Sequence, residues 1–360
     1  MSSNQTRVWQ VAAGDTDRNY VNVCIDKGVI LNGPGNYDIW PVAREKMQTA
    51  GLSSKKISDI KRFAEDIQPG DWVILRLGKR SIFAVGQVIG PYSWLDSFGD
   101  VDGWDLQHAR KVHWHEDYRK DPIEKNGIKW GDTTQLVTHK ELLDWFTSLG
   151  LSPINHLEAY AGVGNLGPIS TRIKPQTIPE IGTYLESKGV ALHLVDDIKQ
   201  AIDHLCRLAR WYREVESGAN GQKGASESEA ISHFVFPLLT ALGWAPQRIS
   251  VEWNNVDIAL FSELPRSSRT LCTVVEAKKR GSSCLTARSQ AESYALKNGS
   301  ESCNKLIVTD GLRYGVFLKE SNGFKDKPSA YLNLLRLMPD YPIHDCGGAA
   351  EALFMMSAYA

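Results

Sequence analysis

The sequence has no charge excess, no paired cysteines and no long apolar run. Lysines and arginines number 41 against 42 acidic residues, a formal net charge of −1. No global basic field therefore draws the chain to a polyanion, and any such contact must come from local patches. The six cysteines (Cys24, Cys206, Cys272, Cys284, Cys303 and Cys346) are scattered without a C-x-x-C pair. That pattern excludes a disulfide framework or a cysteine zinc site and fits reduced thiols. No stretch approaches the ~18 apolar residues of a membrane span, no signal-peptide pattern opens the chain, and no internal repeat is found. These absences lead to the expectation of a soluble cytoplasmic protein without membrane contact. At 360 residues it has room for two or three domains, each with its own core.

What is present is organised in three blocks. The first ~115 residues carry short alternating stretches, "RVWQVAA", "VNVCID", "GDWVILRLG", "SIFAVGQVIGPYSW" and "ARKVHWH", each bounded by Gly, Asn, Pro or Asp. Between them "SDIKRFAEDI" has helical spacing behind Ser58 or Asp59 as a cap. A small barrel crossed by one or two helices accounts for this pattern. Next come two helical stretches, "TTQLVTHKELLDWFTSLG" and "HLVDDIKQAIDHLCRLARWYREVESG", joined by a Gly/Pro-rich connector. The polar, Gly-rich "ESGANGQKGASES" follows as the best linker candidate. The last ~130 residues alternate helices and strands, which implies an α/β domain, with a hairpin turn at Asn254-Asn255. The expected division is 1–145, a helical connector 146–220, and 221–360.

Chemistry concentrates in "CTVVEAKKRG". Alternation along a strand puts Val274, Glu276 and Lys278 on one face, so a carboxylate and an ammonium leave an apolar strand together. Upstream, Asp257 sits between Val256 and Ile258 in a second apolar run, where an acid is seldom left without a partner or a role. If these strands are neighbours, Asp257 and Glu276 converge with Lys278 beside them. Two carboxylates form a hard-oxygen site suited to Mg²⁺, with Lys278 placed to orient a water or offset developing charge. Glu-x-Lys alone is common in strands as a solvated ion pair; its surroundings are what give it weight. Lys279, Arg280 and Arg288 add local positive charge of the kind a phosphodiester backbone needs.

Those surroundings resemble a family. "SESEAISHFVFPLLTALGW", "VDIALF", "VVEAKKRG", "QAESYA" and "IVTDGLRYGVF", in this order from about residue 227 to 319, are similar to the PD-(D/E)XK nucleases, especially the nuclease domains of Type I restriction-enzyme motor subunits and their stand-alone relatives. The resemblance implies a restriction-endonuclease-like α/β core in which Asp257 and Glu276 ligate Mg²⁺, with Mn²⁺ as a substitute. It implies that Lys278 is the catalytic lysine, that Glu227 is a supporting acid (Glu229 being a nearby rival), and that Gln290 of the Q-A-x-x-Y-A helix faces the active site. Ser228 departs from the small apolar residue usual after the first glutamate.

The front of the chain holds six tryptophans: Trp9, Trp40, Trp72, Trp94, Trp104 and Trp114. Trp9, Trp72 and Trp114 lie in strand patterns and are expected to pack. Tyr37, Trp40, Trp94 and Trp104 have loop-like surroundings, where aromatics suit stacking on an extruded base, with Asn32, Asn36 and Asp38 as polar neighbours. Residues 7 to 145 are similar to the PUA-like superfamily, especially EVE domains, through the helix before "PGDWV", the "GPY" turn and the closing "R-x-V-x-W". That resemblance implies a β-barrel that binds a modified base. Together the two resemblances give an expected modification-dependent restriction endonuclease acting on double-stranded DNA that carries a modified base, 5-methyl- or 5-hydroxymethylcytosine, and working as a homodimer. The alternatives are an RNA-directed nuclease and a catalytically inactive nucleic-acid-binding protein.

Overall fold

A computed structural model describes residues 7–15, 18–115, 123–126, 132–154, 172–217, 226–279, 283–299 and 301–360. The fold is mixed α/β with two principal sheets, and the chain divides into two compact units, 1–172 and 173–360. No described helix is long and apolar enough to cross a membrane.

The first unit is built on a seven-stranded sheet. Its elements are β1 (Val8–Ala12), α1 (Val21–Asp26), β2 (Val29–Asn32), α2 (Val42–Thr49), α3 (Ser54–Lys61), β3 (Trp72–Leu77), β4 (Ser81–Trp94), β5 (His108–Trp114), β6 (Thr134–Leu136) and α4 (Lys140–Ser148). The strand order is β2-β5-β4-β3-β1-β6, and Ile123–Glu124 pairs off β4. Only β1 and β3 run parallel; the remaining pairs are antiparallel. The expected barrel does not close through backbone bonds. β6 has three residues, and the two edges are joined by a side-chain bond, Asn32 Nδ2 donating to Thr134 Oγ1 at 3.1 Å. The stretch "VNVCID", expected as a strand, is the helix α1. Asn19 Oδ1 accepts from the Val21 N–H at its start, and Val21 and Cys24, three apart, are its buried residues. Helix α3 starts at Ser53, whose hydroxyl accepts from Lys56 N–H. Asp59, expected as a cap, is 2% exposed and accepts from the backbone of Thr133 and Thr134, tying α3 to β6.

The second unit carries a nine-stranded sheet between helices. It contains α5 (Ile178–Ser187), α6 (Leu192–Ser217), α7 (Glu227–Ala230, continued by helical turns to Ala241), β7 (Ile249–Trp253), β8 (Val256–Phe261), β9 (Leu271–Ala277), α8 (Arg288–Gly299), β10 (Lys305–Thr309), β11 (Arg313–Glu320), β12 (Ala330–Asn333) and, at its end, α9 (Ala349–Met356, preceded by two short strands). The order runs β7-β8-β9-β10-β11-β12 and on to the two short strands. The expected hairpin turn is present: Asn254 and Asn255 both have positive φ (51° and 69°), the backbone of a two-residue turn that matches strand twist. Helix α8 crosses from β9 to the parallel β10. It lays Ala291 and Ala295, one turn apart, with Ala287 before them, against Val274, Leu306, Val308 and Phe317. The opposite face buries Ile258, Val275 and Ile307 under α5, α6 and α7. Helices α5 and α6, expected as a connector, therefore share one core with this sheet. Their apolar stripes (Ile181 and Leu185; Val195, Ile198, Ile202, Leu205 and Ala209) leave them no independent fold. Most of the expected linker and Gly/Pro connector, 218–225 and 155–171, lies outside the described residues.

Candidate functional sites

The antiparallel register of β8 and β9 sets Ile258 opposite Val275, which brings Asp257 beside Glu276 at the strand ends. Asp257 Oδ2 accepts the Ala277 N–H at 2.7 Å, fixing the carboxylate against the neighbouring backbone. The Glu276 side chain is only 3% exposed. Its Oε1 is 2.8 Å from Lys278 Nζ, while its Oε2 is buried without a hydrogen-bond partner. Lys278 Nζ also donates to Gln290 Oε1 at 2.9 Å, and Gln290 Nε2 donates to Tyr294 Oη at 3.2 Å. The parallel strand β10 supports this exit, because Lys278 N–H donates to the Thr309 carbonyl at 2.7 Å. The expected convergence of Asp257, Glu276, Lys278 and Gln290 is thus realised.

Burial raises the Glu276 carboxyl above its ordinary value, and the charges of Asp257 and Glu227 add to the rise, while the bond from Lys278 opposes it. Glu227 is therefore electrostatically close to Glu276. Its rival Glu229 instead closes a capping box, in which its carboxylate accepts the Ser226 N–H at 2.8 Å and its N–H donates to Ser226 Oγ at 3.2 Å. Those bonds hold the Glu229 carboxyl below its usual range. Helix α7 can approach this strand end because Gly311, at φ +86°, has no side chain; a Cβ there would lie 2.9 Å from Ala230 Cβ. Gly311 is a residue that sequence reasoning missed, although a "TDG" turn after an apolar strand is a readable signal.

The positive charges expected around the site do not all serve it. Arg288 is spent on structure, donating to the carbonyls of Lys325 and Phe324 and pairing with Glu292 at 3.1 Å. Lys279 is exposed, and Arg280 lies outside the described residues.

Whether these residues suit a divalent cation turns on the orphaned Oε2. A buried, unpartnered carboxylate oxygen costs about 1–3 kcal/mol, and a cation between two strand carboxylates would remove that penalty. Among the described residues no set of three or more His, Cys, Asp and Glu side chains forms a ready metal cage. That is no obstacle for Mg²⁺, which takes one or two carboxylates and leaves the rest of its octahedron to water and substrate phosphate. The donor set fits.

In the first unit the expected aromatics separate. Trp40 is 8% exposed, packs on Ala43, Met47 and Ile60 with Tyr37 alongside, and donates to Glu65 Oε1 at 2.6 Å. Trp94 is 4% exposed and donates to the Gly35 carbonyl at 2.8 Å. Both belong to the core, against the expectation of a base-stacking role. The Gly and Pro before Trp40 turn the chain while its ring points inward, whereas Gly90-Pro91 before Trp94 do not turn it: β4 runs through them with a register shift between Val88 and Tyr92. Asp38 pairs with Lys46 at 2.7 Å and with Arg172 at 3.8 Å, and the Lys46 bond holds its carboxyl below the usual range.

Trp104 alone of the expected set lines a large cavity, about 600 Å³. The turn Asp102-Gly103 (both positive φ) presents it, with Asp100 Oδ1 accepting the Gly103 N–H at 2.7 Å. The Arg18 guanidinium lies 3.6 Å over the indole ring. Lys56 and Arg76 also line the cavity, as do Asp105 and Asp132. Arg76 is 2% exposed; it donates to the carbonyls of Gly78 and Asp132, and its Nε is buried without a partner. Sequence reasoning missed all three cations. The available signal was an arginine at the end of an apolar strand.

The two units thus define a chain with a paired-carboxylate strand site in one α/β unit and a lined cavity in the other. A family model described as a domain of unknown function (DUF8426) matches residues 9–142, from β1 into α4. A comparison with curated proteins finds no match.

Proposed function

We propose that the chain is a modification-dependent restriction endonuclease, reading a modified base in double-stranded DNA with its first unit and hydrolysing phosphodiester bonds with its second. The observation that carries this reading is the buried Glu276 carboxylate, with one oxygen unpartnered and the other on Lys278, beside Asp257 on the neighbouring strand. Evolution seldom leaves a buried carboxylate oxygen without a partner unless something else is meant to meet it. The resemblance to PD-(D/E)XK nucleases supplies the reaction class, and the PUA-like resemblance supplies the reader.

In this reading Asp257 and Glu276 would hold Mg²⁺, and a cation there would supply Lewis acidity toward a phosphodiester and toward water. The protein's own part is positional. Asp257 is fixed by the Ala277 N–H, so its free orientation is already restricted. Lys278 is held between Glu276 and Gln290, which aims a fixed positive charge at the mouth of the site. A preset donor of this kind stabilises charge that develops on the phosphate without reorganising during reaction. Tyr294 holds Gln290, and Glu227 adds negative charge that favours the cation. One such site cuts one strand, so a double-strand break favours a homodimer, a monomer cutting the strands in sequence being the alternative.

The test is cleavage of duplexes carrying modified cytosine, with Mg²⁺ and with Mn²⁺, by the wild type and by Lys278→Ala. The expected result is cutting by the wild type only, with DNA affinity retained in the variant. Equal inertness of both on every modified substrate, with either metal, would overturn the nuclease reading.

A further inference from the structure

The cavity of the first unit has an uneven wall. Arg18, Lys56 and Arg76 line it against two carboxylates, Asp105 and Asp132. Asp132 is already matched by Arg62 at 2.7 Å and Lys55 at 3.2 Å. Lys56 makes only long contacts, 3.3 Å to Asp59 and 3.4 Å to Asn32 Oδ1, and Asp59 is shared with the backbone of Thr133 and Thr134. Arg76 keeps a buried, unpartnered Nε. Guanidinium and ammonium groups donate and never accept, so Lys56 Nζ, held on long contacts, calls for an acceptor atom on whatever fills about 600 Å³. Trp104, with Arg18 over its ring, provides a flat surface at the same place; guanidinium and indole planes both suit stacking on a heterocycle.

We infer that this cavity takes a pyrimidine nucleotide whose ring substituent carries an acceptor oxygen or a negative charge, a carboxyl or hydroxymethyl group, in preference to a methyl group. The inference rests on the base-reader reading of the first unit and narrows it. A methyl group offers no acceptor to Lys56 Nζ. A carboxylate supplies a charge-assisted bond there, the stronger kind. The ring chemistry has two sources, a base extruded from a duplex or a free nucleotide, and the test separates them.

The measurement is binding of the full chain, without divalent cation, to four duplexes that differ at one cytosine: unmodified, 5-methyl, 5-hydroxymethyl and 5-carboxyl. Free 5-carboxy-dCMP serves as competitor. The expected order is carboxyl, then hydroxymethyl, then methyl, with carboxyl roughly tenfold tighter than methyl, the fold expected of one charged hydrogen bond. Lys56→Met brings the carboxyl duplex down to the methyl duplex, and Arg18→Gln weakens all the modified duplexes together by removing the plane over Trp104, with thermal melting confirming that the variants are folded. Methyl bound as tightly as carboxyl, both above unmodified, overturns the inference and leaves the reader standing. Four equal duplexes without competition by the mononucleotide overturn both. Four equal duplexes with competition keep the cavity chemistry, assign it to a free nucleotide and remove the duplex reader.

Discussion

Glu276→Gln should make the metal-free protein more stable while removing the proposed cation site. The wild-type residue buries a carboxylate with one oxygen unpartnered, in the field of Asp257 and Glu227. An unsatisfied buried acceptor costs about 1–3 kcal/mol, more when charged. Against this stands the pair with Lys278, whose side chain is 28% exposed; a partly solvated pair of this kind is worth at most about 1 kcal/mol. The penalty is the larger quantity, and glutamine keeps an acceptor for Lys278 at the same length while setting a neutral amide where a charge was buried in the field of Asp257 and Glu227. The net gain is about 1 kcal/mol, which for a unit of this size raises the melting temperature by roughly 2–4 °C. The assay is thermal melting of both proteins in EDTA and with Mg²⁺. Because Glu276 has a raised carboxyl value when folded, the native state binds its proton more tightly than the unfolded state. Metal-free wild type should therefore lose stability as pH rises from the ordinary value of 4.5 to the raised native one, and Glu276→Gln should lack that loss. Adding Mg²⁺ should stabilise the wild type by mass action and leave the variant unmoved. A variant that melts below the wild type in EDTA at neutral pH would refute the reasoning, because the buried charge would then carry no penalty.

Two further outcomes follow from the geometry. Gly311→Ala forces a left-handed backbone on a residue with a Cβ, costing about 1–2 kcal/mol, and presses on Ala230 at 2.9 Å; melting should drop by a few degrees and cleavage should fall as Glu227 is displaced. Trp40→Ala should cost about 3–5 kcal/mol of stability, whereas Trp104→Ala should cost far less and lower affinity for modified DNA; the comparison of melting and binding in the two variants distinguishes packing from recognition.

The second unit was the more legible in sequence. Strands with two-residue periodicity, a short Asn-Asn turn and a fixed separation between Asp257 and Glu276 determine register locally, so the pairing of their carboxylates follows from few assumptions. Gln290 was legible only through the resemblance of its Q-A-x-x-Y-A helix; the alanines at 291 and 295 lay that helix on the sheet. The first unit resisted. Arg18, Lys56, Arg76 and Trp104 come from four separated segments, and only the parallel pairing of β1 with β3 and the late return of β6 bring them to one cavity. Local composition carries no trace of that. It also misplaced Trp40 and Trp94, because a neighbourhood rich in Gly and Pro does not give the direction of a ring. "VNVCID" shows the same weakness at smaller scale: six residues with apolar positions fit a strand as well as one and a half helical turns, and the helix starts at Val21, whose N–H donates to Asn19 Oδ1.

The central claim is that Asp257, Glu276 and Lys278 form a metal-dependent nuclease site directed by a modified base. Digestion of otherwise identical plasmids, with plain or modified cytosines, by the wild-type chain with Mg²⁺ tests it most directly. The account predicts cutting of a modified plasmid, sparing of the plain one, and loss of all cutting in Lys278→Ala. Cutting of plain and modified plasmids alike, or cutting that survives Lys278→Ala, would contradict it.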